Sequence, residues 1–455
     1  MFNKKTIKDV LRLSLPAVGE MILYMLIWVL DTMMVGKHGG QISVTAVGLS
    51  SEIIYTFINI VVAMGLSVGI TSLVARKIGA NEKHKAEEYA SLGIACTIVI
   101  AFLISLTFFV FSESILKLAK ADSQVAYIGA KYMRICSIGA FFNMVQSSFN
   151  AVLRGFGNTK TPLKISFVVN IVNISLDYML IFGRFGFPEL GVRGAAIATT
   201  TANVCGLLLV VKYVFTNDEI KPRIKYIKNY SIKRFRELIN LSIPSSLQEG
   251  AFSISRLINV FMIMLLGNAA FSANQITTTI ESLSYMPGWG FAVAATTLVG
   301  QKIGAKDYKK AKEYMNICLF FGTAIMALIA IMFFVFPKEL ITLFIKENEK
   351  QVILLGASCL AVAALEQIPI AISMIIGGGL KGSGDTKSPF IVSVISNWLF
   401  RLPLMYYFIY LNRKPVVYVW RITAIQWLID AALLLVVYKR RIKEWNQEGM
   451  NITKK

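Results

Sequence analysis

The sequence predicts an all-α integral membrane protein: twelve transmembrane helices in two pseudo-symmetric six-helix bundles. Three observations carry this. Hydrophobic residues make up 55% of the 455 positions and charged residues 16%. Apolar runs of roughly 20 residues, the length of helix that crosses the hydrocarbon, recur along the whole chain. The chain also repeats itself. Leu73-Val74-Ala75-Arg76-Lys77-Ile78-Gly79-Ala80 returns as Leu298-Val299-Gly300-Gln301-Lys302-Ile303-Gly304-Ala305. Leu153-Arg154-Gly155-Phe156-Gly157-Asn158-Thr159-Lys160-Thr161-Pro162 returns as Leu380-Lys381-Gly382-Ser383-Gly384-Asp385-Thr386-Lys387-Ser388-Pro389, and Leu13-Ser14-Leu15-Pro16 as Leu241-Ser242-Ile243-Pro244. Three echoes at nearly one offset mean that half of the chain is duplicated. In a membrane protein this is the usual build of a carrier that alternates access around a central site.

The first span, near 11–35, follows Lys4, Lys5, Lys8 and Arg12. It is too long for a signal sequence and lacks a small-residue cleavage site, so it reads as a true span. The second, near 46–74, contains Gly65-Leu66-Ser67-Val68-Gly69. That string matches a nucleophile elbow, but it sits in an apolar helix with no strand before it and no plausible His partner. The two glycines read instead as a close-packing face. Spans near 89–111, 125–150, 163–183 and 194–215 complete the first half. Between the fourth and fifth, Gly ends one helix and Pro opens the next. The second half repeats the order near 238–266, 271–300, 313–336, 351–378, 389–411 and 416–438. Residues 1–216 and 238–455 are thus the expected bundles, and 217–237 a basic connecting segment. Six spans per half is an even number, so the repeat is parallel.

The net charge of +21 excludes less than it suggests. About 32 of the 47 Lys and Arg fall on the termini and even-numbered loops, and about 10 on the odd-numbered loops. This positive-inside asymmetry places both termini in the cytoplasm of a cell (plasma) membrane protein. The segment Lys221 to Arg236 and the tail from Lys439 then face anionic headgroups of the bilayer. Nucleic acid is not an expected partner, because no folded basic domain with stacking aromatics is evident. The five cysteines stand singly within spans and read as buried small hydrophobes. Neither histidine, His38 or His84, has neighbours with metal-ligand spacing.

Charges inside spans point to function, because an ionised group at mid-bilayer is costly. Asp31 lies within the first span. In the fifth, Asn173 and Asp177 are four apart and share a helix face, which Asn170 extends by a turn. Thr199 in the sixth adds a hydroxyl. Asp31, Asn173, Asp177 and Thr199 offer two carboxylates and two neutral oxygens. Such a set suits a hard monovalent cation, or a proton shared by two carboxylates whose like charges repel. The duplication fails here: Asn173 maps to Phe400 and Asp177 to Leu404. The second half carries Glu249, Glu281 and Glu366 with Arg256 and Arg401, which read as buried ion pairs and end caps. Asn143, Gln146 and Asn150 share one face of the fourth span and, with Met33, are the expected substrate handles. The same polar face could equally join helices.

The whole chain resembles the multidrug and toxic compound extrusion (MATE) family. The resemblance is carried by Pro16, by Asp31-Thr32-Met33-Met34-Val35-Gly36, and by Gly79-Ala80 after the second span. It continues through Leu153-Arg154-Gly155-x-Gly-x-Thr159 and Gly194-Ala195-Ala196-Ile197-Ala198-Thr199. It implies two six-helix bundles in a V-shaped molecule, and export of amphipathic, often cationic compounds by antiport with Na+ or H+. It also implies a cation site at the positions of Asp31, Asn173, Asp177 and Thr199. Tyr178 departs from the family, which often has Pro after this acid. No organic cofactor is expected, the partners are a drug-like small molecule and the bilayer, and the molecule is expected to be a monomer. A lipid-linked glycan flippase of the same superfamily would prefer a cleft lined with Arg and Lys. A membrane-embedded enzyme would need a metal cluster, an Asp-rich diphosphate motif or a catalytic His, and none is evident.

Overall fold

The computed structural model describes residues 3–217, 219–228, 231–345 and 348–453, and these contain no strand. Twelve of their helices are 23 residues or longer, and each expected span falls on one of them. In the first half they are α1 (Lys4–His38), α2 (Ile42–Gly79), α3 (Lys83–Leu118), α4 (Ser123–Phe156), α5 (Lys160–Phe182) and α6 (Val192–Thr216). The short α7 (Ile224–Lys228) lies in the connecting segment. The second half has α8 (Ile232–Met264), α9 (Asn268–Gly304), α10 (Tyr308–Val335), the short α11 (Pro337–Thr342), α12 (Lys350–Ser383), α13 (Lys387–Leu411) and α14 (Val417–Thr453). Gly36 and Val44 do not lie on one straight helix: a Cβ on Gly36 would meet Val44 Cγ2 at 3.1 Å, whereas eight residues of straight helix advance about 12 Å.

Nine of the long helices are apolar enough to cross a membrane by length and composition. The other three, α4, α8 and α9, carry more polar groups, and many of these point inward. In α9, Thr277, Glu281 and Ser284 are all buried. Burial within the protein lets a spanning helix carry polar side chains that lipid would not tolerate.

The helices form two compact units, Gly19–Ser246 and Met1–Val18 with Leu247–Lys455. The boundaries fall inside α1 and α8, whereas the duplication in the sequence divides at 217–237. Each boundary lies two residues after a proline, Pro16 or Pro244. Proline removes one ladder bond and crowds the preceding turn, so a helix can change neighbours there. In the second unit, Thr6 donates to Glu313 Oε1 at 2.8 Å and Tyr314 to Asp9 Oδ2 at 2.8 Å. In the first, Leu238 and Leu241 join the apolar core. Gly69 there admits Leu238, whose Cδ1 would stand 3.2 Å from an added Cβ. The Gly65–Gly69 face is a packing surface against α8.

The duplication reappears as paired contacts. Thr71 Oγ1 donates to the Ala151 carbonyl at 3.0 Å, and Thr296 Oγ1 to that of Gly378 at 2.9 Å. Gly157 and Gly384 end α4 and α12 at φ 102 and 99, a left-handed turn that suits glycine.

One expectation is corrected in part. The connecting segment does not turn all its basic residues to lipid. Arg223 and Arg234 approach Glu87 and Glu88 of α3. The backbone N–H of Arg223 donates to Ser91 Oγ at 2.9 Å, and the Tyr226 hydroxyl to Glu87 Oε2 at 3.4 Å. Lys225 and Lys228 remain exposed.

Candidate functional site

In the first unit, α1, α5 and α6 bring the four predicted coupling residues together. Asp31, Asn173, Asp177 and Thr199 are all buried. The Thr199 hydroxyl donates to Asp31 Oδ2 at 3.3 Å, and Asn173 Nδ2 to Thr199 Oγ1 at 3.5 Å. The carboxyls of Asp31 and Asp177 lie close enough for one proton to bridge them.

The donor count is the informative property. Asp31 Oδ1, both Asp177 oxygens, Asn173 Oδ1 and Asn170 Oδ1 are buried without a hydrogen-bond donor. Each such acceptor costs about 1–3 kcal/mol if left unmet. Buried oxygens short of donors are what a proton or a hard monovalent cation satisfies. Among the described residues, no group of three or more His, Cys, Asp and Glu side chains could hold a metal ion.

Thr199 also borders a cavity of about 20 Å³ lined by α2, α4 and α6 side chains, including Ser51, Tyr55, Tyr132, Asn143 and Asn203. That is room for roughly one water molecule, far below the ~300 Å³ or more of a drug pocket. Asn143 faces it and donates to Asn203 Oδ1 at 3.1 Å. Gln146 and Asn150 lie apart from this cavity, both buried; Gln146 packs where Gly206 leaves space, with its Cδ 2.9 Å from an added Cβ. Met33 is 54% exposed. Of the four expected substrate handles, Asn143 lines this cavity.

The second unit holds acids of its own. Glu281 of α9 and Glu366 of α12 are buried side by side, with Tyr285, Gln367 and Arg401 around them. Ser284 Oγ donates to Gln367 Oε1 at 2.7 Å. Neither glutamate is an end cap, since both lie well inside their helices. Glu249 has Lys381 and Arg256 beside it, as an ion pair requires. Two further buried acids escaped the sequence reading. Glu20 faces Arg154, with Nη1 3.6 Å from Oε2, and Asp430 Oδ1 accepts from Ser396 Oγ at 2.6 Å. An acid inside an apolar run was the available signal for both.

The MatE family profile matches residues 16–179 and 244–407, so it starts each half on the repeated proline. The probable multidrug resistance protein NorM of Thermotoga maritima is 29% identical over 399 residues, covering 88% of this chain and 85% of that protein. The protein of the same name from Bacillus cereus is 30% identical over 388 residues, covering 83% and 82%. Among solved structures, an outward-facing multidrug resistance MATE family transporter of the MOP superfamily superposes with a TM-score of 0.89 at 22% identity. That superposition covers 97% of this chain and 96% of the other.

Proposed function

The chain belongs to the MatE family of transporters, and from that premise we propose that it exports amphipathic, often cationic drug-like compounds by antiport with Na+ or H+. Asp31, Asn173, Asp177 and Thr199 bind the coupling ion. Both termini lie in the cytoplasm of the cell membrane, as the basic loops ask. The single observation that carries the proposal is the set of buried oxygens without donors around the Asp31–Asp177 pair. Of the substrate handles, Asn143 and Met33 are the two that reach a cavity or a surface. The acidic site disfavours a pyrophosphate-linked lipid cargo, whose charge it would repel.

One cation moving inward across about 150 mV supplies about 3.5 kcal/mol, a several-hundred-fold gradient of a neutral substrate; one-for-one exchange with a monovalent organic cation is electroneutral and draws only on the chemical gradient of the ion. The test is efflux of one fluorescent organic cation from proteoliposomes, with Na+ and pH gradients imposed separately. Efflux driven by one gradient and blocked by its collapse is the expected result. Transport indifferent to both gradients would overturn the proposal.

A further inference from the structure

A second set of buried polar groups runs from the coupling site to one end of the first unit. On α5, Ser166, Asn170, Asn173 and Asp177 recur at intervals of four, three and four, so they share one helix face over about 16 Å of rise. All four are buried. On α1, Glu20 and Asp31 are eleven residues apart, about three turns, and also share a face. Tyr24 lies between them, with Ser166 and Asn150 beside its hydroxyl. Glu20 and Asn150 are fully buried, each at 0% exposure. The Glu20 oxygens have Arg154 beside them, Asn150 and Ser166 have the Tyr24 hydroxyl, and no closer hydrogen bond reaches any of the three side chains. Asn170 donates to the Ser166 carbonyl at 2.8 Å and leaves its own oxygen without a donor.

This seam of oxygens ends at Glu20, opposite Arg154. Arg154 stands one turn before the Gly157 cap, at the basic, cytoplasmic end expected for α4. The second unit lacks the seam. There Gln248 stands for Glu20, Gly377 for Asn150 and Phe400 for Asn173, and the acid near Lys381 is the next residue along, Glu249. Continuity with a buried acid pair is particular to the first.

We propose that the coupling cation leaves for the cytoplasm along this seam and that Glu20–Arg154 is its inner gate. The Glu20 carboxylate receives the cation, exchanging Arg154 for it, and passes it to bulk water. This rests on Asp31 and Asp177 being the coupling site.

The test uses the full chain in proteoliposomes with ethidium as substrate. Na+-driven efflux, H+-driven efflux and ethidium-for-ethidium exchange without a gradient are measured separately. Exchange between substrate-loaded states visits no ion-release step. Glu20→Gln is expected to slow gradient-driven efflux about tenfold, as loss of a charged acceptor on the path would. Exchange should stay within about twofold. Asn150→Leu, which blocks the seam without touching a charge, should show the same selective slowing, and Glu249→Gln should not. Equal loss of exchange and driven efflux in both seam variants would reduce Glu20–Arg154 to a clamp and overturn the proposal. So would undiminished driven efflux, or the same selective slowing in Glu249→Gln. Driven efflux surviving in Asp31→Asn and Asp177→Asn would instead remove the coupling site itself, and the seam with it.

Discussion

The Thr199 hydroxyl stands 3.3 Å from Asp31 Oδ2, across 168 residues of chain, and accepts from Asn173 on its other side. Thr199→Val keeps the shape and removes both bonds. A hydrogen bond of this kind is worth about 1 kcal/mol, a roughly fivefold change in affinity. The ion concentration for half-maximal efflux should shift by about that factor. The shift is upward if the ion is Na+, which loses an oxygen ligand. It is downward if the ion is H+, which loses a competing donor. Titrating efflux against each ion therefore reads both the role and the ion.

Asp31→Asn and Asp177→Asn should each abolish gradient-driven efflux without unfolding the protein. The new amide brings donors into a site whose oxygens lack them, so thermal stability in detergent should hold or rise. Full driven efflux in both variants would show that neither acid carries the ion.

The helix order and the repeat were legible because hydropathy and turn chemistry act locally. Twelve apolar runs and two Gly-x-Gly-x-Thr-Lys-x-Pro turns mark their own places. The meeting of Asp31, Asn173, Asp177 and Thr199 was legible too, since an acid in an apolar span announces itself and Asn173–Asp177 spacing gives a common face. Contacts decided by distant partners were not legible. Nothing near Arg234 says that Glu88, far back in the chain, will meet it. Nothing near Glu281 names Glu366 as its neighbour. The exchange of units at Pro16 and Pro244 was hidden because each helix stays helical and apolar through the boundary.

The repeated glycines should respond in kind when changed. An alanine Cβ at Gly155 would fall 2.8 Å from the Thr71 carbonyl oxygen and 2.9 Å from Val74 Cβ. At Gly382 it would fall 2.8 Å from the Thr296 Cα. Backbone cannot yield as a side chain does, so each substitution should cost about 1–3 kcal/mol. Gly377, with nothing within 4 Å of an added Cβ, should instead gain up to about 1 kcal/mol from helix propensity. Unfolding followed by helical circular dichroism separates the two outcomes.

Asp385 offers a stability test by pH. Its Oδ1 accepts from the Ser388 N–H at 3.0 Å, and its Oδ2 from the Ser388 hydroxyl at 2.7 Å and Arg441 Nη2 at 2.9 Å. Burial pushes the carboxyl up, but the Ser388 and Arg441 bonds outweigh it, and the group titrates below the usual aspartate range. A lowered folded value means stability that is present above the ordinary aspartate pKa of about 3.9 and lost as pH falls through the folded value. At neutral pH, Asp385→Ala should cost about 1 kcal/mol as a lost helix cap, and more with the Arg441 pair gone. Asp385→Asn keeps the cap oxygen and should cost less. Unfolding measured from pH 7 down through pH 3 should show the unsubstituted protein converging on Asp385→Asn below about pH 4. A gap that stays constant over that range would mean that the carboxylate charge contributes nothing to holding α12, α13 and α14 together.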